Sequence, residues 1–143
     1  MAWSCAAVLL IAAAFHVYWA LGGRIGHDAV IPHHAGRNGS PALRPTKAMT
    51  HGVAAALAAA ALLVLVTAQA VPVPAHVELP RALLRTLLAL LATAFLIRAF
   101  GGSRFTGFFK KVRGTRFARL DTWFFSPLCL VLGLALADLA WRP

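Results

Sequence analysis

Five side chains in this sequence have the chemistry of a site: His16, Trp19, His51, Arg98 and Asp121. Imidazole exchanges protons near pH 7, a guanidinium holds anionic or carbonyl groups, and a carboxylate transfers protons or balances a cation. Indole adds a flat apolar wall with one donor. On a helix His16, Trp19 and Gly23 fall at i, i+3 and i+7, one stripe able to line a pocket. Arg98 and Asp121 carry opposite charges at either end of one short connection, so an ion pair between them is expected. Two histidines on neighbouring helices could also ligate haem iron or a metal ion; the sequence assigns no cofactor. A second cluster, His27, Asp28, His33 and His34, contains metal-ligand types, but its spacing matches no zinc pattern, so a solvated loop without metal is expected.

These residues stand among apolar runs that must position them. Of the 143 residues 60% are hydrophobic and 13% charged, about half the charge of an ordinary soluble domain. A bilayer core of about 30 Å needs roughly 20 apolar residues in a helix, and four stretches qualify, at about 2–21, 48–71, 82–100 and 122–141. Gly22 and Gly23 close the first, Pro72 and Pro74 stop the second, and Ser126 with Pro127 either caps the fourth or bends its first turn. Ala54, Ala58 and Ala61 offer a small-residue face for close packing. Trp3 and Trp19 bracket the first run and Trp123 and Trp141 the fourth, at the depth indole favours. The predicted fold is an all-α integral membrane protein: four transmembrane helices in an antiparallel up-and-down bundle, forming a single domain over 1–143. Cys5 and Cys129 then fall on opposite sides of the membrane, as free thiols. A retained first span, rather than a cleaved leader, is expected, since no Lys or Arg precedes it.

Charge sets the orientation. The net charge of +10 would suit nucleic acid, but the cations lie between the apolar runs, where topology calls for them, so no nucleic-acid partner is expected. Arg24, Arg37, Arg44, Lys47, Arg104, Lys110, Lys111, Arg113, Arg116 and Arg119 share one face; Arg81, Arg85 and Arg142 hold the other. The positive-inside rule places both termini outside the cytoplasmic (inner) membrane and loops 22–47 and 101–121 in the cytoplasm. All five candidate residues then lie toward the cytoplasmic leaflet. In the third loop Phe105, Phe108, Phe109 and Val112 have partial helical spacing. That suits a segment in the headgroup layer, with Arg104, Lys110, Lys111, Arg113 and Arg116 contacting anionic lipid; the alternative is a topogenic loop.

The sequence resembles a family of bacterial membrane proteins designated domain of unknown function 3995. The resemblance rests on HVYWALGG at 16–23, IRAFGG at 97–102, and GFFKK followed by RFARLDTWFFSPLCL within 107–130. It implies small four-span membrane proteins and carries over no activity, cofactor or catalytic residue. His16, Trp19, Arg98, Asp121, Ser126 and Pro127 are the matching polar or special positions; Phe124 and Phe125 stand where the family pattern implies a tyrosine.

Two readings of the polar residues compete. In one, Arg98 and Asp121 staple the bundle and His16 is neutral and hydrogen-bonded. In the other they line a polar pocket that binds a lipid or small lipophilic ligand, or supports a complex. An intramembrane enzyme is the alternative, with His16 or Asp121 as proton carrier and Arg98 as electrostatic stabiliser. A small transporter or oligomeric channel would need a continuous polar path, for which the outer halves offer only Ser4, Thr67, Gln69 and Asp138.

Overall fold

The structure, a computed structural model, describes residues 1–34, 40–74, 79–101 and 103–142. Arg37, Gly102 and the side chain of Asp28, all named above, lie outside the described residues. Helix α1 (Ala2–Ala20) leads into a loop holding the short α2 (His27–Val30); α3 (Lys47–Thr67) and α4 (Arg81–Phe100) follow. The last rod starts as α5 (Arg116–Leu120), widens into a π turn at Asp121–Phe125 and continues as α6 (Ser126–Trp141). Among the described residues four helical segments, counting Arg116–Trp141 as one, are long and apolar enough to cross a membrane. The chain is an all-α, multi-pass membrane protein.

Each helix end has a local cause. At the end of α1, Gly22 takes a left-handed φ of 97°, and the N–H groups of Gly22 and Gly23 return to the carbonyls of Trp19 and Tyr18 at 3.0 and 2.9 Å. That is a Schellman closure, which favours glycine because it has no Cβ. The end of α3 is closed the same way four residues before the expected stop: Gln69 adopts φ 52°, and Gln69 and Ala70 donate to Val66 and Leu65 at 3.0 and 2.8 Å. Pro72 and Pro74 therefore follow a helix that has already ended. Thr46 caps the start of α3 through Oγ1 to the Met49 N–H.

Packing joins α1 to α3 and α4 to α6 along their lengths, with a thinner seam between the two hairpins. Leu9, Val64, Leu88 and Leu136, one from each spanning helix, are the largest fully buried apolar side chains. Around them sit Ala6, Ala61, Ala92 and Ala140, whose small side chains let helices approach where lipid, unlike water, gives no hydrophobic drive to associate. Gly133 marks a close approach of α6 to α4: a Cβ there would lie 2.8 Å from the Leu96 side chain. Ala54 and Ala61 are buried as expected of a small-residue face, but Ala58 is exposed; one turn beyond Ala54 the seam passes to Leu57, Ala60 and Ala61. Leu10, Ile11, Leu62, Leu90, Val131 and Leu134 point outward, an apolar exterior that water would not tolerate and lipid does. The hydroxyls of Thr67, Thr86 and Thr93 donate to carbonyls four residues back, which satisfies them without water.

The two loops that the up-and-down topology assigns to one face meet there. Helix α2 packs on α5, and the His34 ring stands edge-on to Phe105 at 5.3 Å.

Candidate functional site at a buried aspartate

Asp121 is fully buried at the start of the π turn. Its Oδ1 accepts from Nη2 of Arg98 at 2.7 Å. Its Oδ2 accepts from the Gly107 N–H at 2.8 Å, Nζ of Lys110 at 3.1 Å and Oγ of Ser126 at 3.2 Å. A carboxylate has about four acceptor sites, and four donors fill them.

The π turn makes part of this geometry. Residues five apart on an α-helix point about 140° from one another; the wider turn brings Ser126 over Asp121, and the Ser126 N–H bonds the Asp121 carbonyl. Pro127 explains the location, because it has no N–H to continue the α ladder and its ring crowds the carbonyl four residues back.

Lys110 corrects the sequence reading. Expected as a headgroup contact, it is 4% exposed, and its ammonium donates to the Gly107 carbonyl at 3.0 Å, to Asp121 and to Oγ1 of Thr122 at 2.6 Å. An ammonium has three donors, and all three are used. Burial of a lysine at this depth is tolerated because a carboxylate without this charge would be the greater cost. The neighbouring Arg104, Lys111, Arg113 and Arg116 remain exposed.

The third loop is correspondingly a folded cap, not a flat amphipathic segment. Phe108 and Phe109 donate their N–H groups to the Ala99 and Phe100 carbonyls at 2.8 and 3.0 Å, occupying acceptors that the end of α4 would otherwise leave open. Lys111 and Val112 both donate to the Arg104 carbonyl. Gly107 holds the fold together: at φ 88° it lies so close to α4 that a Cβ would be 2.3 Å from the backbone of Gly101. The rings divide accordingly, with Phe117 buried, Phe105 and Phe108 half-buried, and Phe109 exposed.

The remaining predicted residues stand apart from this cluster. His16 is half-buried, its Nδ1 2.8 Å from the Ala12 carbonyl of its own helix, and its ring meets Trp19 edge-on at 5.2 Å. Trp19 in turn donates Nε1–H to the Ile25 carbonyl at 2.8 Å, while the Ile25 N–H reaches the Tyr18 hydroxyl. These two aromatics clamp the first loop, and Gly23 leaves room for the Tyr18 ring, which any Cβ there would strike at 2.3 Å. His51 is exposed. None of the hydrogen bonds or ring contacts among the described residues links His16, Trp19 or His51 to Arg98 or Asp121. His33 bonds the Ile31 carbonyl through Nδ1, and among the described residues no three His, Cys, Asp or Glu side chains group as metal ligands.

Sequence reasoning missed Lys110, Gly107 and Thr122. Lys110 has no distinguishing neighbour: it sits beside Lys111 in a run of cations, and only the fold separates the two. Gly107 carries more signal, as an isolated glycine within an aromatic and basic segment.

Two further features of the cluster bear on ligand binding. Nη1 of Arg98 is buried without a hydrogen-bond partner, although the side chain as a whole is one-third exposed, at 33%. Beside the cluster, Phe108, Lys110, Arg113, Arg119, Thr122 and Trp123 bound a depression of about 160 Å³. The family described as "Protein of unknown function (DUF3995)" matches residues 9–136, and the chain belongs to it. No curated protein and no solved structure matches.

Proposed function

We propose that this family member is a non-enzymatic membrane module that takes an anionic lipid headgroup in the depression beside Asp121. The observation that carries the reading is the inward turn of Asp121 and Lys110. With the carboxylate committed to Arg98, Lys110, Gly107 and Ser126, Arg113 and Arg119 have no carboxylate partner among the described residues. Two unbalanced guanidiniums thus flank Trp123, which is 83% exposed and suited to the headgroup layer. Guanidinium pairs with phosphate bidentately, and the cluster beneath fixes the loop that carries Arg113. The same excess of cations supports an orientation with the Asp121 end in the cytoplasm.

The test is tryptophan fluorescence of the detergent-solubilised protein during titration with phosphatidylglycerol or phosphatidylcholine, with Trp123→Phe identifying the part of the signal that comes from Trp123. Phosphatidylglycerol is expected to bind more tightly, and Arg113→Gln to weaken it about fivefold, the worth of one cation at an anionic surface. Equal affinity for the two lipids would defeat the reading.

A second reading, a lipophilic ligand at Arg98, is favoured by the unpartnered Nη1, to which a ligand carbonyl could bind. Proton transfer through Asp121 fits less well, since both its oxygens are engaged.

A further inference from the structure

At the end of the bundle opposite Asp121, all four spanning helices frame an open groove of about 990 Å³, at the upper end of the roughly 300–1,000 Å³ range of ligand pockets. Its walls carry the apolar side chains of Trp3 from α1, Val66 from α3, Leu84 from α4 and Leu139 from α6, with Thr67 and Gln69 beside them. Its rim is cationic, with Arg81, Arg85 and Arg142. Arg142 is committed to Asp138 through two bonds of 2.9 and 2.7 Å, and Arg85 gives one donor to the Arg142 carbonyl. Arg81 and the remaining donors of Arg85 have no acidic partner among the described residues. The groove lies where the two hairpins are joined only by their thin seam.

We propose that this groove binds a single-chain anionic amphiphile, its carboxylate or phosphate head against Arg81 and Arg85 and its tail along Val66, Leu84 and Leu139. Guanidinium matches either head with paired hydrogen bonds, while Val66, Leu84 and Leu139 offer contact to a hydrocarbon chain. A neutral lipid would leave the arginines without a partner. The site is separate from the headgroup contact proposed beside Asp121, and neither result decides the other.

The experiment uses the full chain in phosphatidylcholine nanodiscs with cis-parinaric acid as probe, read by energy transfer from tryptophan. Trp3 lines the groove, so transfer is expected to fall in Trp3→Phe. Arg81→Gln, an exposed change, is expected to weaken the probe about tenfold, the loss of one charge-assisted hydrogen bond, with the thermal unfolding of the protein unchanged. Oleic acid and dodecyl phosphate as competitors identify which head is preferred, and displacement by either supports the proposal. Displacement by oleyl alcohol as effective as by oleic acid, or full affinity in Arg81→Gln, would overturn it.

Discussion

Lys110 lies eleven residues before Asp121 in the chain, yet its Nζ stands 3.1 Å from Oδ2 of that carboxylate, and both side chains are sealed from solvent, at 2% and 0% exposure. The adjacent Lys111 points outward. One loop thus holds two chemically identical side chains with opposite duties.

Replacement of the two lysines should separate those duties. Lys110→Met leaves a buried carboxylate short of a cation and is expected to cost about 3 kcal/mol, whereas Lys111→Met should stay within about 0.5 kcal/mol. Arg98→Gln should fall between them, because water reaches part of the guanidinium. Unfolding in detergent micelles reads all three; identical curves for the two lysine variants would refute the inward placement of Lys110.

Gly107 and Gly114 offer a matched pair, since both have φ 88° while a Cβ at Gly114 meets nothing within 4 Å. Gly114→Ala should cost about 1 kcal/mol, the left-handed penalty alone. Gly107→Ala adds a backbone collision with Gly101, and a loss of about 3 kcal/mol is expected. Limited trypsin digestion is the direct reading: cleavage after Arg104 and Lys111 should accelerate in Gly107→Ala and not in Gly114→Ala.

The spans were legible because hydrocarbon imposes a length and a composition that four runs of this sequence meet, and the tryptophans at 3 and 141 stand exposed near helix ends, as interface residues should; Trp123, also exposed, lies in the π turn of the last rod. Opposite charges on Arg98 and Asp121 were legible for the same reason: at that depth each needs a counter-charge. Three-dimensional return of the chain was not. Lys110 meets Asp121 only because Gly107 lets the loop fold against Gly101, a backbone approach with no periodicity to betray it. The early end of α3 was hidden similarly, since glutamine is an uncommon occupant of the left-handed closing position and the two prolines downstream gave the stronger signal. Placing His16, His51 and Arg98 at one depth said nothing of azimuth, and rotation about the helix axes puts His51 on the outer surface.

Labelling of single cysteines should fix the orientation. In a variant lacking Cys5 and Cys129, Ile25→Cys and Phe109→Cys, exposed positions on the two loops that meet, are expected to react with a membrane-impermeant maleimide from the cytoplasmic side alone. Val73→Cys should react only from the other side. Reaction of Ile25→Cys and Phe109→Cys from opposite sides would contradict the meeting of those loops, and reaction of both from outside would invert the proposed orientation.

The pairing of α1 with α3 and of α4 with α6 has a consequence for biosynthesis. Each half of the polypeptide reaches the bilayer with its principal neighbour next in line, so insertion needs no helix to wait for a distant one. Every donor to Asp121 comes from the second half, which can therefore complete its polar interior without help from the first. A nick in the connection between residues 74 and 79 would leave two hairpins whose reunion depends on the alanine and leucine seam and on the contact of α2 with α5.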